Sequence, residues 1–303
     1  MTIKVAIIGG AGRMGQWFAR YLSNENFEVI IADDNPERLK EASHRLGIPA
    51  FDTKNAIKQA DVVLLSVPII KFESVVKEVS LYVRNGQIII DITSTKQMPV
   101  TVMHRYIKVK SILGSHPLFG PGAKGITDMN FILTPTNEEE HELAQKATDF
   151  LESRGAHVSL MTPEEHDEMI TVILGLSHYI ALVAADTLSD LSTIQKMKNT
   201  GSITYKVLIT LIESVLSEDP AFYASLQMSL PKLPQIQQRF QNNAAQWAEL
   251  VKTGDNGKFV ARMKKLKEIF EKDISFGGAY EEMYEIAQSK LTYKKSLNEP
   301  QTH

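Results

Sequence analysis

Short apolar runs alternate with amphipathic stretches through the first half of the chain. Residues 3–8, 28–32, 62–67, 87–92, 108–113, 131–134 and 156–160 read as strands. Most are apolar throughout, not at every second position, which suits parallel strands covered on both faces. Helical periodicity falls between them, for example over residues 14–22, 36–46 and 138–153. Strand–helix alternation of this kind predicts a doubly wound, mostly parallel sheet of Rossmann type.

The pattern changes near residue 161. Thr162-Pro163-Glu164-Glu165 has the form of a capping box with proline at the first helical position, so a helix starts there. From there to the C-terminus the pattern is helical. Residues 165–191 are apolar on nearly every side through their middle, as in a helix buried in a domain or dimer core. Asp219-Pro220 starts another helix, and Ile236, Phe240, Trp247 and Val251 form a stripe, as do Phe259, Met263, Leu266 and Phe270. Gly277-Gly278 breaks the pattern before a last helix. The α/β class is thus joined to an all-α C-terminal half. The expected division is a dinucleotide-binding domain at 1–161, a helical substrate and dimerisation domain at 162–292, and a flexible polar tail at 293–303.

Composition narrows the function classes. With 33 Lys plus Arg against 36 Asp plus Glu the net charge is -3, which argues against nucleic acid as a partner. The absence of cysteine excludes disulfides, thiolate zinc and a thiol nucleophile. No histidine pair falls at i,i+4, so no metal site is expected. The first residues run straight into a strand without a cleavable leader, and the longest apolar stretch, 169–185, is interrupted by Gly175 and His178. It falls short of the roughly 20 residues of a membrane span. The expectation is a cytoplasmic protein with no membrane partner.

Gly10-Ala11-Gly12-Arg13-Met14-Gly15 is a G-x-G-x-x-G between a predicted strand and a predicted helix. A pyrophosphate would sit on that helix N-terminus. Asp33 closes the second strand, placed to bond ribose hydroxyls and to repel a 2′-phosphate, which favours NAD over NADP. Arg38 keeps some NADP use open. Val67-Pro68 ends the strand read at 62–67, with Ser66 just before, at the same carboxyl edge where a cofactor would lie. Two loops leave that edge: Thr93-Ser94-Thr95-Lys96, and Gly114 to Gly122 after a strand ending at Leu113. A dehydrogenase needs a base for the alcohol proton, and neutral histidine suits pH 7. His116 sits in the second loop, with Ser94 placed to orient it or the substrate hydroxyl.

These segments together carry a resemblance. Gly9-Gly10-Ala11-Gly12-Arg13-Met14-Gly15, Asp91-Ile92-Thr93-Ser94-Thr95-Lys96, Ser115-His116-Pro117-Leu118-Phe119-Gly120-Pro121 and Glu164-Glu165-His166-Asp167 followed by Leu176-Ser177-His178 resemble the prephenate dehydrogenase family of tyrosine biosynthesis. The resemblance implies oxidative decarboxylation of prephenate to 4-hydroxyphenylpyruvate, with hydride passing to NAD. It implies that His116 accepts the hydroxyl proton and that Ser94 assists. Two substrate carboxylates need cations or strong donors, for which Lys96, His178 and Lys206 are the candidates, with His166 in support. Where relatives often carry an arginine this chain has Lys206, a point charge without a bidentate fork. Arogenate therefore stays open as the substrate. A homodimer through the helical half is expected, with no room in 303 residues for a fused mutase or regulatory domain. Two rivals fit less well. A β-hydroxyacid dehydrogenase needs a lysine in the first long helix of its second domain, and none lies between Lys146 and Lys196. A non-catalytic NAD sensor would need neither Ser94 nor His116.

Overall fold

A computed structural model describes residues 2–109, 111–191, 194–272 and 277–285. The first element, β1 (Lys4–Ile8), runs into the glycine loop and α1 (Arg13–Asn24), followed by β2 (Glu28–Ala32), α2 (Pro36–Leu46) and α3 (Thr53–Gln59). Next come β3 (Val62–Leu65), α4 (Ile69–Ser80), β4 (Ile88–Asp91) and α5 (Gln97–Tyr106). The sheet ends with β5 (Ile112–Pro117), β6 (Asn130–Thr134), α6 (Glu138–Glu152) and β7 (His157–Leu160).

The seven strands lie in the order β2-β1-β3-β4-β5-β6-β7, and every neighbouring pair is parallel except β5 with β6. Strand order reverses beside β1, and ligands bind at the carboxyl ends of strands at such a switch point. The first five strands are mutually parallel, so their carboxyl ends share one edge. Apolar clusters cover both faces, one around Leu65, Phe72 and Met103, the other around Ile7, Trp17 and Ile31. Continuous apolar strands are the consequence of that double cover.

One strand differs from its sequence reading. Residues 114–117 read as loop, yet β5 continues through Pro117 and carries His116. The cause is β6, which returns antiparallel and pairs Gly114 with Thr134, Ser115 with Leu133 and His116 with Ile132. On the other side β4 stops at Asp91, level with Gly114. The last residues of β5 are thus held by one neighbour and project past the other.

The helical half contains α7 (Pro163–Ile170), α8 (Ser177–Ser189), α9 (Ile194–Thr200), α10 (Ile203–Leu216), α11 (Pro220–Ser229), α12 (Leu233–Thr253) and α13 (Asn256–Phe270). A π-helical turn, Thr171–Leu176, joins α7 to α8. The capping box at Thr162 and Glu165 forms as read, with both reciprocal bonds made. No strand follows β7 among the described residues. Two compact units result: Met1–Thr171 with Ala221–Pro231, and the described parts of Val172–Pro220 and 232–303. In the second, α8 packs on α10, and α13 folds back on α12 with Trp247 and Phe259 edge to face at 4.9 Å.

The continuous helix Pro163–Ser189 spans 27 residues and is long and apolar enough to cross a membrane by length and composition alone. This corrects the shorter estimate from the sequence, because the π-turn carries the helix through Gly175 and on past His178. Its apolar side chains are largely exposed in the single chain, Met169, Val172, Ile173 and Val183 among them. Most of the α13 stripe is exposed likewise. The tail at 293–303 lies outside the described residues.

Candidate active site

The glycine loop sits at the switch point. Gly10 donates its N–H to the Ala32 carbonyl at the end of β2, which folds the loop against the neighbouring strand. Gly15 must lack a side chain, because a Cβ there would lie 2.3 Å from the Gly9 carbonyl oxygen. At Gly12 a Cβ would find only two backbone oxygens, at 3.1 and 4.0 Å, so the space beside it is left to a ligand. Gly12 is also the N-cap of α1 and supplies no side-chain acceptor. The first N–H groups of α1 thus face an anion site without competition from a cap, as a pyrophosphate requires. Arg13 is exposed and Met14 half-buried in the first turn. Ser66 follows β3, bonded through its N–H to the Ile8 carbonyl, and Pro68 caps α4.

Asp33 is more constrained than its sequence position suggests. Its Oδ2 accepts the Ala11 N–H at 3.0 Å and its Oδ1 the Asn35 N–H at 3.1 Å. Each carboxylate oxygen keeps a further lone pair, so ribose hydroxyls remain possible donors. The residue therefore shapes the glycine loop as well as offering the acceptor. This arrangement fits a dinucleotide.

The second part of the site lies at the ends of β4 and β5. His116 is buried, and its Nδ1 lies 2.8 Å from Nε2 of His166, the buried histidine on α7. His166 Nδ1 in turn lies 2.7 Å from Oδ1 of Asp167. The Asp167 carboxylate also accepts the N–H of Lys96 at 2.7 Å and of Gln97 at 3.0 Å, so it caps the start of α5 from the neighbouring helix. Burial, then the His166 and Lys96 charges, hold the His116 imidazole well below the ordinary histidine range. Burial lowers His166 as well, against the opposing pull of its hydrogen bond to the Asp167 carboxylate.

Lys96 does not serve as the substrate cation envisaged from the sequence. It is fully buried and ion-paired with Asp91, itself fully buried, and it donates to the Ser115 carbonyl at 2.7 Å. Its charge is consumed inside the sheet edge, beside Gly114, where a Cβ would lie 2.4 Å from Thr134 Oγ1, 2.8 Å from Val100 Cγ2 and 3.3 Å from Lys96 Cδ. Burial pushes Asp91 up and Lys96 down, each against the pull of the other. Ser94 is half-buried in the loop between β4 and α5, two residues before Lys96. Asp91 and Asp167 have no assigned role in the sequence reading, although both stand in segments that carry the resemblance and Asp91 is a charge ending the run Ile88-Ile89-Ile90.

His178 and Lys206 belong to the second unit, on α8 and α10, which pack together. His178 is half-buried and burial lowers its pKa, whereas Lys206 is exposed. Among the described residues no group of His, Asp and Glu is arranged to hold a metal ion.

Comparison with known proteins settles the family. Residues 18–160 match the prephenate dehydrogenase nucleotide-binding domain and residues 162–265 the prephenate dehydrogenase dimerization domain. The chain belongs to the prephenate dehydrogenase family. It is 34% identical over 284 residues to a probable arogenate/prephenate dehydrogenase of Methanocaldococcus jannaschii, covering 92% of this chain. It spans only 64% of that relative's length. Prephenate dehydrogenase from A. aeolicus, solved in complex with hydroxyphenyl propionate and NAD+, superposes with a TM-score of 0.74 at 23% identity, covering 90% of this chain and 99% of that one. Synechocystis arogenate dehydrogenase gives a TM-score of 0.68 at 17% identity, covering 90% and 100%. These two likenesses establish the fold, a Rossmann-type unit followed by helices. The exposed apolar helix Pro163–Ser189 and the first part of α13 lie within the residues that match the dimerization domain.

Proposed function

We propose that this chain oxidises prephenate, with NAD as hydride acceptor, to a product that loses CO2 and becomes 4-hydroxyphenylpyruvate. The observation that carries the reading is His116: a buried imidazole past the end of β4, on the edge that bears the glycine loop, with burial holding its pKa well below the ordinary histidine range. NAD supplies the site for the departing hydride. The chain's own residues do the rest. His116 takes the hydroxyl proton, Ser94 orients the hydroxyl, and Lys206 and His178 bind substrate carboxylate. Gly10, Gly12, Arg13, Met14, Gly15, Ser66 and Pro68 form the cofactor bed, and Asp33 favours NAD over NADP by repelling a 2′-phosphate. Arogenate is the second reading, supported by the name of the Methanocaldococcus jannaschii relative.

Absorbance at 340 nm tests both readings, with prephenate and arogenate each offered alongside NAD and NADP. Prephenate with NAD is expected to give the fastest NADH formation. A larger kcat/KM for arogenate would move the substrate, and no turnover with either would remove the activity. We propose further that two copies pair through the helical half, which supplies a cover for its exposed apolar faces. Light scattering coupled to gel filtration is expected to return twice the mass of one chain; a single-chain mass would overturn the dimer.

A further inference from the structure

We infer that His166 and Asp167 are positioning residues which lock His116 in its Nδ1–H tautomer, leaving Nε2 as the proton acceptor. The inference deepens the proposed dehydrogenase reading and rests on it for the identity of the donor.

Asp167 accepts two main-chain N–H groups at the start of α5, so its carboxylate is anchored on the first unit's own framework. An ionised carboxylate only accepts, and therefore His166 Nδ1 must carry the hydrogen in their 2.7 Å contact. Neutral His166 then has a lone pair on Nε2. The 2.8 Å contact to His116 Nδ1 must be a donation from His116. The proton of neutral His116 is thereby placed on Nδ1, and Nε2 is bare. Three residues on two elements impose one protonation pattern, as a buried acid imposes one on a general-base histidine in a hydrolase triad.

The same contacts accommodate the proton when it comes. The substrate O–H bond breaks and an Nε2–H bond forms on His116, while the hydride and its electron pair leave for NAD. The resulting positive charge is shared along the hydrogen bonds to His166 and ends against the Asp167 carboxylate. No proton needs to reach solvent for this step. The titratable groups around His116 are His166 on its Nδ1, with Asp167 behind His166 on α7, and Lys96 at the start of α5, paired with Asp91 at the end of β4. Lys96 opposes a cation on His116, so the carboxylate of Asp167 is the group that favours it.

The test begins without substrate. Protein labelled with 15N-histidine and observed by long-range 1H–15N correlation at neutral pH is expected to show His116 protonated at Nδ1 and bare at Nε2. A hydrogen on Nε2 would overturn the inference whatever the enzyme turns over. His166→Phe removes the acceptor, so kcat is expected to fall about 10²-fold with unchanged NAD affinity. His166→Gln places an amide oxygen near the lost Nε2 and is expected to recover a good part of that rate. Equal impairment of the Phe and Gln variants, both binding NAD as the parent does, would also overturn the inference. Absence of turnover with prephenate and arogenate in the parent protein counts against the proposed function alone and leaves the tautomer measurement standing.

Discussion

Replacing His116 by asparagine is expected to lower kcat by about 10²–10⁴-fold, the range that a positioned general base contributes. NAD affinity should stay at the parent value, because the glycine loop and Asp33 are built from β1, α1 and β2, and His116 touches none of them in the hydrogen-bond network. Steady-state kinetics and NAD titration of the variant provide the check. An undiminished kcat would remove His116 from the reaction; a lost NAD site would mean that β5 had been disturbed instead. The pH dependence of the parent protein follows from the same burial. His116 is held well below the ordinary histidine value, chiefly by desolvation. A base must be neutral to act, so the rate is present above its folded pKa and is lost as pH falls through it. The acid limb of kcat/KM should therefore lie well below 6.5, the ordinary value for histidine. A limb at or above that value would contradict the buried site.

The glycine loop, the acid at the end of β2 and the capping box of α7 were legible in the sequence because each is a local device. Its parts lie within a few residues, or are set by strand ends that apolar runs betray. The edge carrying His116 was less legible. Whether residues 114–117 are loop or strand depends on β6, which begins at Asn130 and returns antiparallel to pair with them. Nothing in Gly114-Ser115-His116-Pro117 announces that partner. The fate of Lys96 was also hidden. It pairs with Asp91 across five residues, and a polar residue beside a strand end reads equally as solvated. Asp167 meets the Lys96 N–H across 71 residues, a separation with no periodicity to reveal it. The stripes of α12 and α13 were read correctly as apolar faces, but a stripe specifies that something covers it without specifying what.

Removing Lys96 is expected to produce the largest loss of stability. Lys96→Met keeps most of the length and the apolar stem beside Gly114, so the change falls chiefly on charge and hydrogen bonding. It leaves the Asp91 carboxylate fully buried, still accepting the Thr93 N–H at 2.7 Å but without its cation. Breaking one side of a buried pair in this way costs about 3–5 kcal/mol. Some of that cost can be relieved by protonating Asp91, whose pKa burial already raises. The variant should consequently regain stability as pH is lowered, a trend absent where the lost group was neutral. The Ser115 carbonyl loses its donor as well, one residue before His116, so activity should fall with stability. Denaturant unfolding at two pH values provides the measurement. The double variant Asp91→Asn with Lys96→Met abolishes both charges and should be more stable than Lys96→Met alone, since a pair replaced together leaves no uncompensated ion. If Lys96→Met unfolded at the parent's denaturant midpoint, Asp91 and Lys96 would not be a buried pair. If the double variant were no better than the single one, packing and not charge would be the reason for the loss.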